Sequence, residues 1–207
     1  MSFDGRVVVV TGGAGRIGRG ICRRFAEEGA FVAVVDRDGD GAAALAREIA
    51  GSEGTARGFT VDVSEEPAVE QLVSDVAAWR GPVHVLVNGA AVFPYAPLLE
   101  ISTGDWDQAF RVNVRGPMLL TRAVARQMIA HRIRGSVINL TSYSGQSARA
   151  DAGAYASSKA ALNLLTRTFA IELGPYGIRV NAVSPGLVRD EVLGPDNPPR
   201  NEYDRAV

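Results

Sequence analysis

The fold of this chain is decided by the stretch VVVVTGGAGRIG, which runs from Val7 to Gly18. Four consecutive valines predict a buried β-strand, and a glycine-rich turn follows them. Beyond the turn, Ile17, Ile21 and Phe25 recur at every fourth residue, as apolar residues do on one face of a helix. A strand, a glycine-rich turn and a helix in this order predict a binding site for the diphosphate of a dinucleotide. Glycine lets the ligand approach the backbone, and the first N–H groups of the helix bind its anionic oxygens.

Further short runs rich in β-branched residues recur along the chain, with longer amphipathic stretches between them. Such near-continuous apolar runs are typical of parallel strands that are covered on both faces. The stretch Gly153–Leu173 carries a helical apolar stripe. Strands that alternate with helices predict an α/β fold, a doubly wound Rossmann fold whose parallel sheet has about six strands. After the first strand, the expected strands are residues 31–35, 59–61, 83–87, 136–140 and 178–183.

The composition is that of a globular protein that binds small molecules. The 207 residues carry a net charge of -1, with 46% hydrophobic and 22% charged residues, which disfavours nucleic acid or an anionic membrane as a partner. One cysteine and two histidines provide no ligand set for a metal centre. The N-terminus does not resemble a signal peptide, and no apolar run is long enough to cross a membrane, so we expect a cytoplasmic protein. We expect an NAD(P)-binding Rossmann domain over residues 1–193 and a proline-rich loop or tail over 194–207.

Asp36 bears on which dinucleotide is bound. It ends the second predicted strand, 18 residues after Gly18, close to the usual spacing of the acid that binds the adenosine ribose. A carboxylate there accepts a hydrogen bond from a 2′-hydroxyl and repels a 2′-phosphate, which favours NAD over NADP as the cofactor. Arg37 and Arg16 keep NADP open as an alternative, because their guanidinium groups could bind a 2′-phosphate. Both arginines are equally compatible with solvated surface charges.

Tyr155 and Lys159 form the candidate catalytic pair. They are four residues apart on a predicted helix, so the phenol and the ammonium face the same way. A nearby cation favours the phenolate and lowers the pKa of a tyrosine from its usual value of about 10. Tyr155 is therefore expected to exchange a proton with a substrate oxygen. Ser142, which follows the strand predicted at 136–140, precedes Tyr155 by 13 residues.

With these motifs the chain resembles the short-chain dehydrogenase/reductase family, specifically its compact single-domain branch. The resemblance covers residues 3–188 approximately, and its motifs occur in the family's order. Arg16 departs from the pattern, because the family usually has glycine there, and Gly89 replaces a second asparagine. Besides the glycine loop and the Ser142, Tyr155 and Lys159 set, the matching segments are Asp62-Val63, Asn88-Gly89-Ala90, Asn113 and Pro185-Gly186.

The resemblance implies an oxidoreductase that transfers a hydride between NAD(H) and a secondary alcohol or ketone. It implies Tyr155 as general acid/base, with Lys159 lowering its pKa and holding the nicotinamide ribose. Ser142 would hydrogen-bond the substrate oxygen, and Asn113 would link Lys159 to solvent through an ordered water. The residues predicted to bind the cofactor are Gly12, Gly15, Arg16, Ile17, Gly18, Asp36, Arg37, Asp62, Val63, Asn88, Gly89, Ala90, Tyr155, Lys159, Pro185, Gly186 and Val188. The residues predicted to bind the substrate are Phe93, Tyr95, Ser142, Gln146 and Tyr155.

The C-terminal part of the chain departs from the family. Members usually continue past the Pro185-Gly186 turn into a substrate-covering helical segment, a further helix and a seventh strand, which we expect to be missing here. A naturally short protein, a truncated one and one with missing parts all fit this pattern. The helices that carry Asn113 and Tyr155 correspond to the family's fourth and fifth helices, which implies a two-fold homodimer through them.

Two other functions stay open at this point. A catalytically silent NAD-binding or scaffold protein is suggested by the missing substrate-covering segment. A sugar-nucleotide epimerase or dehydratase is suggested by the glycine loop, which also fits the Thr-Gly-x-x-Gly-x-x-Gly form of the family's longer branch. The set of Ser142, Tyr155 and Lys159 favours the oxidoreductase over the first alternative, and the absence of an extra C-terminal substrate domain disfavours the second.

Overall fold

The six predicted strands form one parallel sheet in the computed structural model, which describes residues 2–50, 55–186 and 188. Its order is β3-β2-β1-β4-β5-β6, the order of the doubly wound dinucleotide fold. The predicted α/β architecture is therefore confirmed, while the tail expected at 194–207 lies outside the described residues. The strands are β1 (Val7–Thr11), β2 (Phe31–Asp36), β3 (Ala56–Thr60), β4 (Val85–Asn88), β5 (Ser136–Leu140) and β6 (Arg179–Val183).

Helices connect the strands and cover both faces of the sheet. The helix that carries Tyr155 has the predicted bounds, but the helix that carries Asn113 is built from three consecutive segments. A π-helical turn at Arg111–Arg115 separates its first part from its second part. The helices are α1 (Arg16–Glu27), α2 (Gly39–Ala50), α3 (Glu66–Arg80), α4 (Thr103–Phe110), α5 (Gly116–Ala130) and α6 (Gly153–Leu173).

The four valines of β1 show why its sequence is continuously apolar. Val7 and Val9 pack into the core on the face that α3 and α5 cover. Val8 and Val10 pack into the core on the opposite face, together with Cys22 of α1. Because successive side chains of a strand point to opposite faces, a strand buried on both faces needs an apolar residue at every position.

The sheet positions the site through its carboxyl edge, where every parallel strand ends on the same side. β1 and β4 are neighbours although β2 and β3 lie between them in sequence, so the connections diverge between these two strands. Crevices at such a point are where doubly wound folds bind ligands. Within the described residues, β6 is the edge strand next to β5. No helix in this part of the chain is long and apolar enough to span a membrane.

Candidate active site

A groove crosses the carboxyl edge of the sheet and consists of two adjoining cavities. The Asp36 cavity, of about 380 Å³, lies between the glycine loop, the end of β2 and residues 61–63. The Tyr155 cavity, of about 360 Å³, lies between the same loop, the end of β5 and α6. Four residues line both cavities, so the groove is continuous above the glycine loop. They are Gly12, Gly15, Gly89 and Ala91.

The glycine loop fits the diphosphate of a dinucleotide. Gly12 has a φ of +67°, and a Cβ at this position would lie 2.8 Å from the backbone of Gly89 and Ala90. A Cβ at Gly18 would lie 2.1 Å from the Gly12 carbonyl oxygen, so α1 starts closer to the loop than any side chain allows. No side chain among the described residues caps α1 at Gly15. Its first N–H groups are therefore suited to an anionic ligand in the groove.

Thr11 connects the two sides of this groove, although it is not among the residues predicted to form the site. Its hydroxyl accepts hydrogen bonds from the backbone N–H groups of Gly89 and Ala90, at 3.1 Å and 3.3 Å. The segment after β4 is thereby attached to the end of β1, beside the glycine loop. A polar residue that ends a fully apolar strand is the sequence signal that could have indicated this role.

Asp36 is held in place by backbone groups. One carboxylate oxygen accepts the N–H of Ala14 in the glycine loop at 3.0 Å, and the other accepts the N–H of Asp38 at 3.0 Å. The carboxylate lines the Asp36 cavity together with Arg37. Asp36 is thus fixed at the end of β2, where the sequence spacing predicted an acid facing the ligand.

Asp62 and Val63 complete the far wall of the Asp36 cavity. The Asp62 carboxylate accepts hydrogen bonds from the backbone N–H and the hydroxyl of Ser64, at 2.9 Å and 2.8 Å. The Ser64 N–H holds the pKa of the Asp62 carboxyl below its usual value, although burial acts in the opposite direction. Asp62 therefore presents a charged acceptor at the edge of the cavity.

Arg16 does not line the Asp36 cavity, where its guanidinium group was considered as a ligand of a 2′-phosphate. Its side chain lines the Tyr155 cavity, and its Nη1 donates to the carbonyl oxygen of Val188 at 3.0 Å. Arg16 starts α1 and reaches toward the segment after β6 instead of toward Asp36. Within the described residues, Arg37 alone of the two arginines lines the Asp36 cavity.

Tyr155, Lys159 and Ser142 all line the Tyr155 cavity; helical spacing predicted the first two to lie together, and the family resemblance implied Ser142. The Lys159 Nζ lies 5.7 Å from the centroid of the Tyr155 ring and donates to the Leu140 carbonyl oxygen at 2.7 Å. Lys159 is only 2% exposed, and this burial lowers the pKa of its ammonium to about 8. The Ser142 hydroxyl accepts the N–H of Ser144 at 3.1 Å. Gly18, Ile17, Pro185, Gly186 and Val188 line the same cavity.

The burial of Lys159 predicts a pH-dependent stability. Its pKa is lowered from 10.5 to about 8 in the folded chain, so the unfolded chain binds more protons between these pH values. The free energy of unfolding is therefore expected to rise with pH across this window, by up to about 3 kcal/mol, and Lys159 adds no slope outside it. Urea unfolding of the wild type and of Lys159→Met, from about pH 7 to about pH 11, measures the effect. A difference between the two proteins that stays constant with pH would contradict it.

Asn113 lies fully buried in the π-helical turn and connects two parts of the site. Its amide accepts the N–H of Val92 at 2.9 Å and donates to the Val92 carbonyl at 2.9 Å. It also donates to the Ser158 hydroxyl at 2.9 Å, and Ser158 donates to the Tyr155 carbonyl at 2.7 Å. The side chain thus holds the segment after β4 and the first turns of α6. The link from Asn113 to Lys159 through water stays a prediction.

Asn88 was predicted to bind the cofactor and Gln146 to bind the substrate, but neither residue lines the two cavities of the groove. The Asn88 amide is buried and donates to Thr121 at 3.3 Å and to the Asn139 side-chain oxygen at 2.8 Å, so it points into the core below the groove. Side chains of a strand alternate between the two faces of the sheet, and the Asn88 side chain lies on the face that α5 covers. Gln146, which follows the short 3₁₀ turn at Tyr143–Gly145, lines a separate cavity between α6 and β6 and does not line the Tyr155 cavity.

Phe93 and Tyr95 form an aromatic pair next to Tyr155. The Phe93 ring packs on Tyr155, with ring centroids 4.4 Å apart and an angle of 54° between the planes. The Tyr95 ring stacks on Phe93 at 6.0 Å. Both rings are about half exposed, and neither is among the described residues that line the Tyr155 cavity, so their contact with substrate stays a prediction.

Comparison with known proteins identifies the family. The family model described as short chain dehydrogenase matches residues 6–201. Sorbitol dehydrogenase of Cereibacter sphaeroides is 35% identical over 100% of this chain and 83% of its own length. D-threitol dehydrogenase of Mycolicibacterium smegmatis is 37% identical, with 92% of this chain and 73% of the relative covered. The crystal structure of NAD⁺-bound xylitol dehydrogenase has a TM-score of 0.86 and 35% identity, and covers 90% of this chain and 72% of that chain.

The chain belongs to the short-chain dehydrogenase family. It is an oxidoreductase that transfers a hydride between a nicotinamide dinucleotide and an alcohol or carbonyl substrate. The relatives are named as dehydrogenases and reductases, which supports this reading over a catalytically silent binding protein. The NAD⁺-bound neighbour agrees with the glycine loop and the continuous groove described above.

Proposed function

We propose that this enzyme uses NAD(H) to interconvert a secondary alcohol of a polyol and the corresponding ketose. The observation that carries the proposal is the meeting of Tyr155, Lys159 and Ser142 in one cavity that opens onto the glycine loop. The adenosine half of the cofactor would lie in the Asp36 cavity and the nicotinamide half in the Tyr155 cavity. A dinucleotide would span both cavities, because they share Gly12 and Gly15 of the loop.

The side chains of the Tyr155 cavity supply the proton chemistry. When bound, the nicotinamide ring accepts or donates the hydride. In alcohol oxidation, the Tyr155 oxygen takes the proton of the substrate hydroxyl, and in ketone reduction it returns that proton. Lys159 uses one N–H for the Leu140 carbonyl and keeps two for the phenolate and the nicotinamide ribose. Ser142 donates a hydrogen bond to the substrate oxygen, where negative charge develops.

Asp36 supports NAD as the preferred cofactor. Its carboxylate is fixed between Ala14 and Asp38 and lines the cavity proposed for the adenosine ribose. A fixed negative charge disfavours a 2′-phosphate more strongly than a mobile one, because it cannot turn away without losing two backbone hydrogen bonds. Arg37 is the residue through which NADP binding would occur.

Replacing Asp36 by asparagine is expected to reverse part of this preference. Hydrogen bonds to a charged group are worth about 1.5–3 kcal/mol, so NADH binding should weaken about tenfold or more, while NADPH binding should tighten. Calorimetric titrations with NADH and NADPH measure both changes. Asp40→Asn removes the same charge on the outer face of α2 and should leave both affinities unchanged. An unaltered NADH to NADPH ratio in Asp36→Asn would remove Asp36 as the selector.

The names of the relatives support a polyol substrate. Sorbitol, D-threitol and galactitol dehydrogenases and human L-xylulose reductase are 35–39% identical to this chain. Steady-state rates with sorbitol, galactitol, xylitol and D-threitol, each with NAD⁺ and NADP⁺, test the proposal. We expect the highest kcat/KM for one of these polyols with NAD⁺. Oxidation of a 3-hydroxyacyl thioester with no polyol turnover would contradict it, since (3R)-3-hydroxyacyl-CoA dehydrogenase of Mus musculus is 41% identical.

We also propose that two copies associate through the helices that carry Asn113 and Tyr155. A shallow, mostly apolar surface cavity lies between the π-helical turn and α6, and its apolar residues include Phe110, Val114, Met118 and Leu165. Such a surface is suited to a self-complementary two-fold contact. Sedimentation equilibrium is expected to give a dimer for the wild type and a lower mass for Leu165→Glu. Equal masses for both proteins would place the contact elsewhere.

A further inference from the structure

We propose that Phe93 is a positioning residue that holds the Tyr155 ring in the orientation needed for proton transfer. The proposal rests on the function proposed above, in which the Tyr155 oxygen exchanges a proton with the substrate. It adds a residue from the segment after β4, outside the Tyr155 and Lys159 motif, to the groups on which that step depends.

The contact between the two rings is direct. Their centroids are 4.4 Å apart, and the planes are tilted by 54°. Tyr155 is the third residue of α6, so its ring projects from the end of a helix and is only partly buried. An aromatic contact at this distance restricts rotation about the side-chain bonds and excludes water from one side of the phenol.

The position of Phe93 is fixed through Val92, the residue before it. The Asn113 amide binds both the N–H and the carbonyl oxygen of Val92, each at 2.9 Å. The same amide donates to Ser158, whose hydroxyl binds the Tyr155 carbonyl. One buried side chain therefore sets the position of Val92, next to Phe93, relative to the helix that carries Tyr155.

A second attachment follows Phe93 along the chain. The N–H of Ala96 donates to the carbonyl oxygen of Asp151 at 2.9 Å, and Asp151 lies just before α6. Asp151 has a φ of +61°, a conformation that aspartate adopts more readily than most residues. The segment that carries Phe93 is thus attached to the surroundings of α6 on both sides. Because its segment is attached on both sides, the Phe93 ring has a defined position and limits the orientations open to the Tyr155 ring.

A residue that only contacts the substrate would affect kcat and KM differently from a residue that positions Tyr155. Loss of a substrate contact raises KM and depends on how far the substrate extends toward Phe93. Loss of ring orientation lowers kcat by the same factor for substrates of different length, because the proton transfer itself is affected. Tyr95 stacks on Phe93 and is about equally exposed, so it is the comparison residue for the loss of a substrate contact.

The experiment compares Phe93→Leu, Phe93→Tyr and Tyr95→Leu in the full chain, with D-threitol and sorbitol as short and long substrates. Phe93→Leu is expected to lower kcat by about tenfold to hundredfold with both substrates and to shift the pH dependence of kcat. Phe93→Tyr keeps the ring and should restore most of kcat. Tyr95→Leu should change KM more than kcat. Leu99→Ala, a fully exposed site in the same segment, should leave both constants unchanged.

Calorimetric NADH titration accompanies each variant, and NADH affinity should stay within about twofold of the wild type. The proposal is overturned if Phe93→Leu keeps kcat and raises KM alone, if its kcat loss differs between the two substrates, or if Phe93→Tyr loses as much kcat as Phe93→Leu. These results leave the proposed function intact as long as Tyr155→Phe is inactive. Activity of Tyr155→Phe would instead overturn the proposed function itself.

Discussion

Tyr155→Phe is expected to lower kcat by about 10²–10⁴-fold, the usual contribution of a positioned general acid/base. The substitution removes one oxygen and keeps the ring, so the packing against Phe93 and the Lys159 bond to Leu140 should persist. NADH affinity should stay largely intact, because the glycine loop and Asp36 are unchanged. Steady-state kinetics and calorimetric NADH titration separate the two effects.

A matched control for this prediction is Tyr176→Phe. Tyr176 is half exposed in the short turn Gly174–Tyr176, which follows α6 at the end remote from Tyr155. Loss of its hydroxyl should leave kcat and stability near their wild-type values. If Tyr155→Phe turns over substrate as fast as Tyr176→Phe, the Tyr155 phenol is not the group that exchanges the proton.

Gly18→Ala is expected to disrupt both folding stability and cofactor binding. The added Cβ would lie 2.1 Å from the Gly12 oxygen and 2.9 Å from the Gly13 Cα, and these are backbone atoms that cannot move without opening the loop. Overpacking of this kind costs about 1–3 kcal/mol or more. The opened loop would also lose its fit to the diphosphate, so NADH affinity should fall by at least about tenfold. Urea unfolding and calorimetric titration measure the two losses.

Gly20→Ala is the control in the same helix. Gly20 is exposed, and apart from the neighbouring backbone of its own helix a Cβ there would meet no atom of the described residues within 4 Å. Alanine in an exposed helix interior is better than glycine by about 0.5–1 kcal/mol, so this variant should be slightly more stable and bind NADH as before. Equal effects of the two substitutions would show that close packing at Gly18 is not what shapes the loop.

The strands show where local pattern was sufficient and where it was not. The strand over 136–140 has the predicted bounds, because Val137, Ile138 and Leu140 favour a strand although Ser136 and Asn139 are polar. β3 begins at Ala56, three residues before its predicted start, in a stretch that contains Arg57 and Gly58. Pairing with β2, in which Val32 is opposite Ala56, extends the strand beyond its apolar part. Backbone hydrogen bonding to a neighbour thus overrode a weak local preference.

The places of some residues of the candidate site could be predicted from local sequence pattern, and those of others could not. Tyr155 and Lys159 were predicted to share a cavity because helical spacing alone brings residues four apart to one face. Arg16 and Arg37 could not be separated in this way, since their places depend on how the glycine loop meets β2 and the segment after β6. The structure brings Arg37 to the Asp36 cavity and Arg16 to the Tyr155 cavity. The π-helical turn around Asn113 was likewise not visible in a sequence that reads as one helix.

By itself, the sequence determined the α/β class, the glycine loop, the acid at the end of β2 and the candidate catalytic pair on α6. Each of these follows from residue types at short, regular spacing, which dictate local geometry. The tertiary structure alone decided that Asn88 points into the core, that Asn113 joins Val92 to Ser158, and that Phe93 packs on Tyr155. These contacts join residues 21 or more positions apart, and their geometry arises only when the sheet and its helices are packed together.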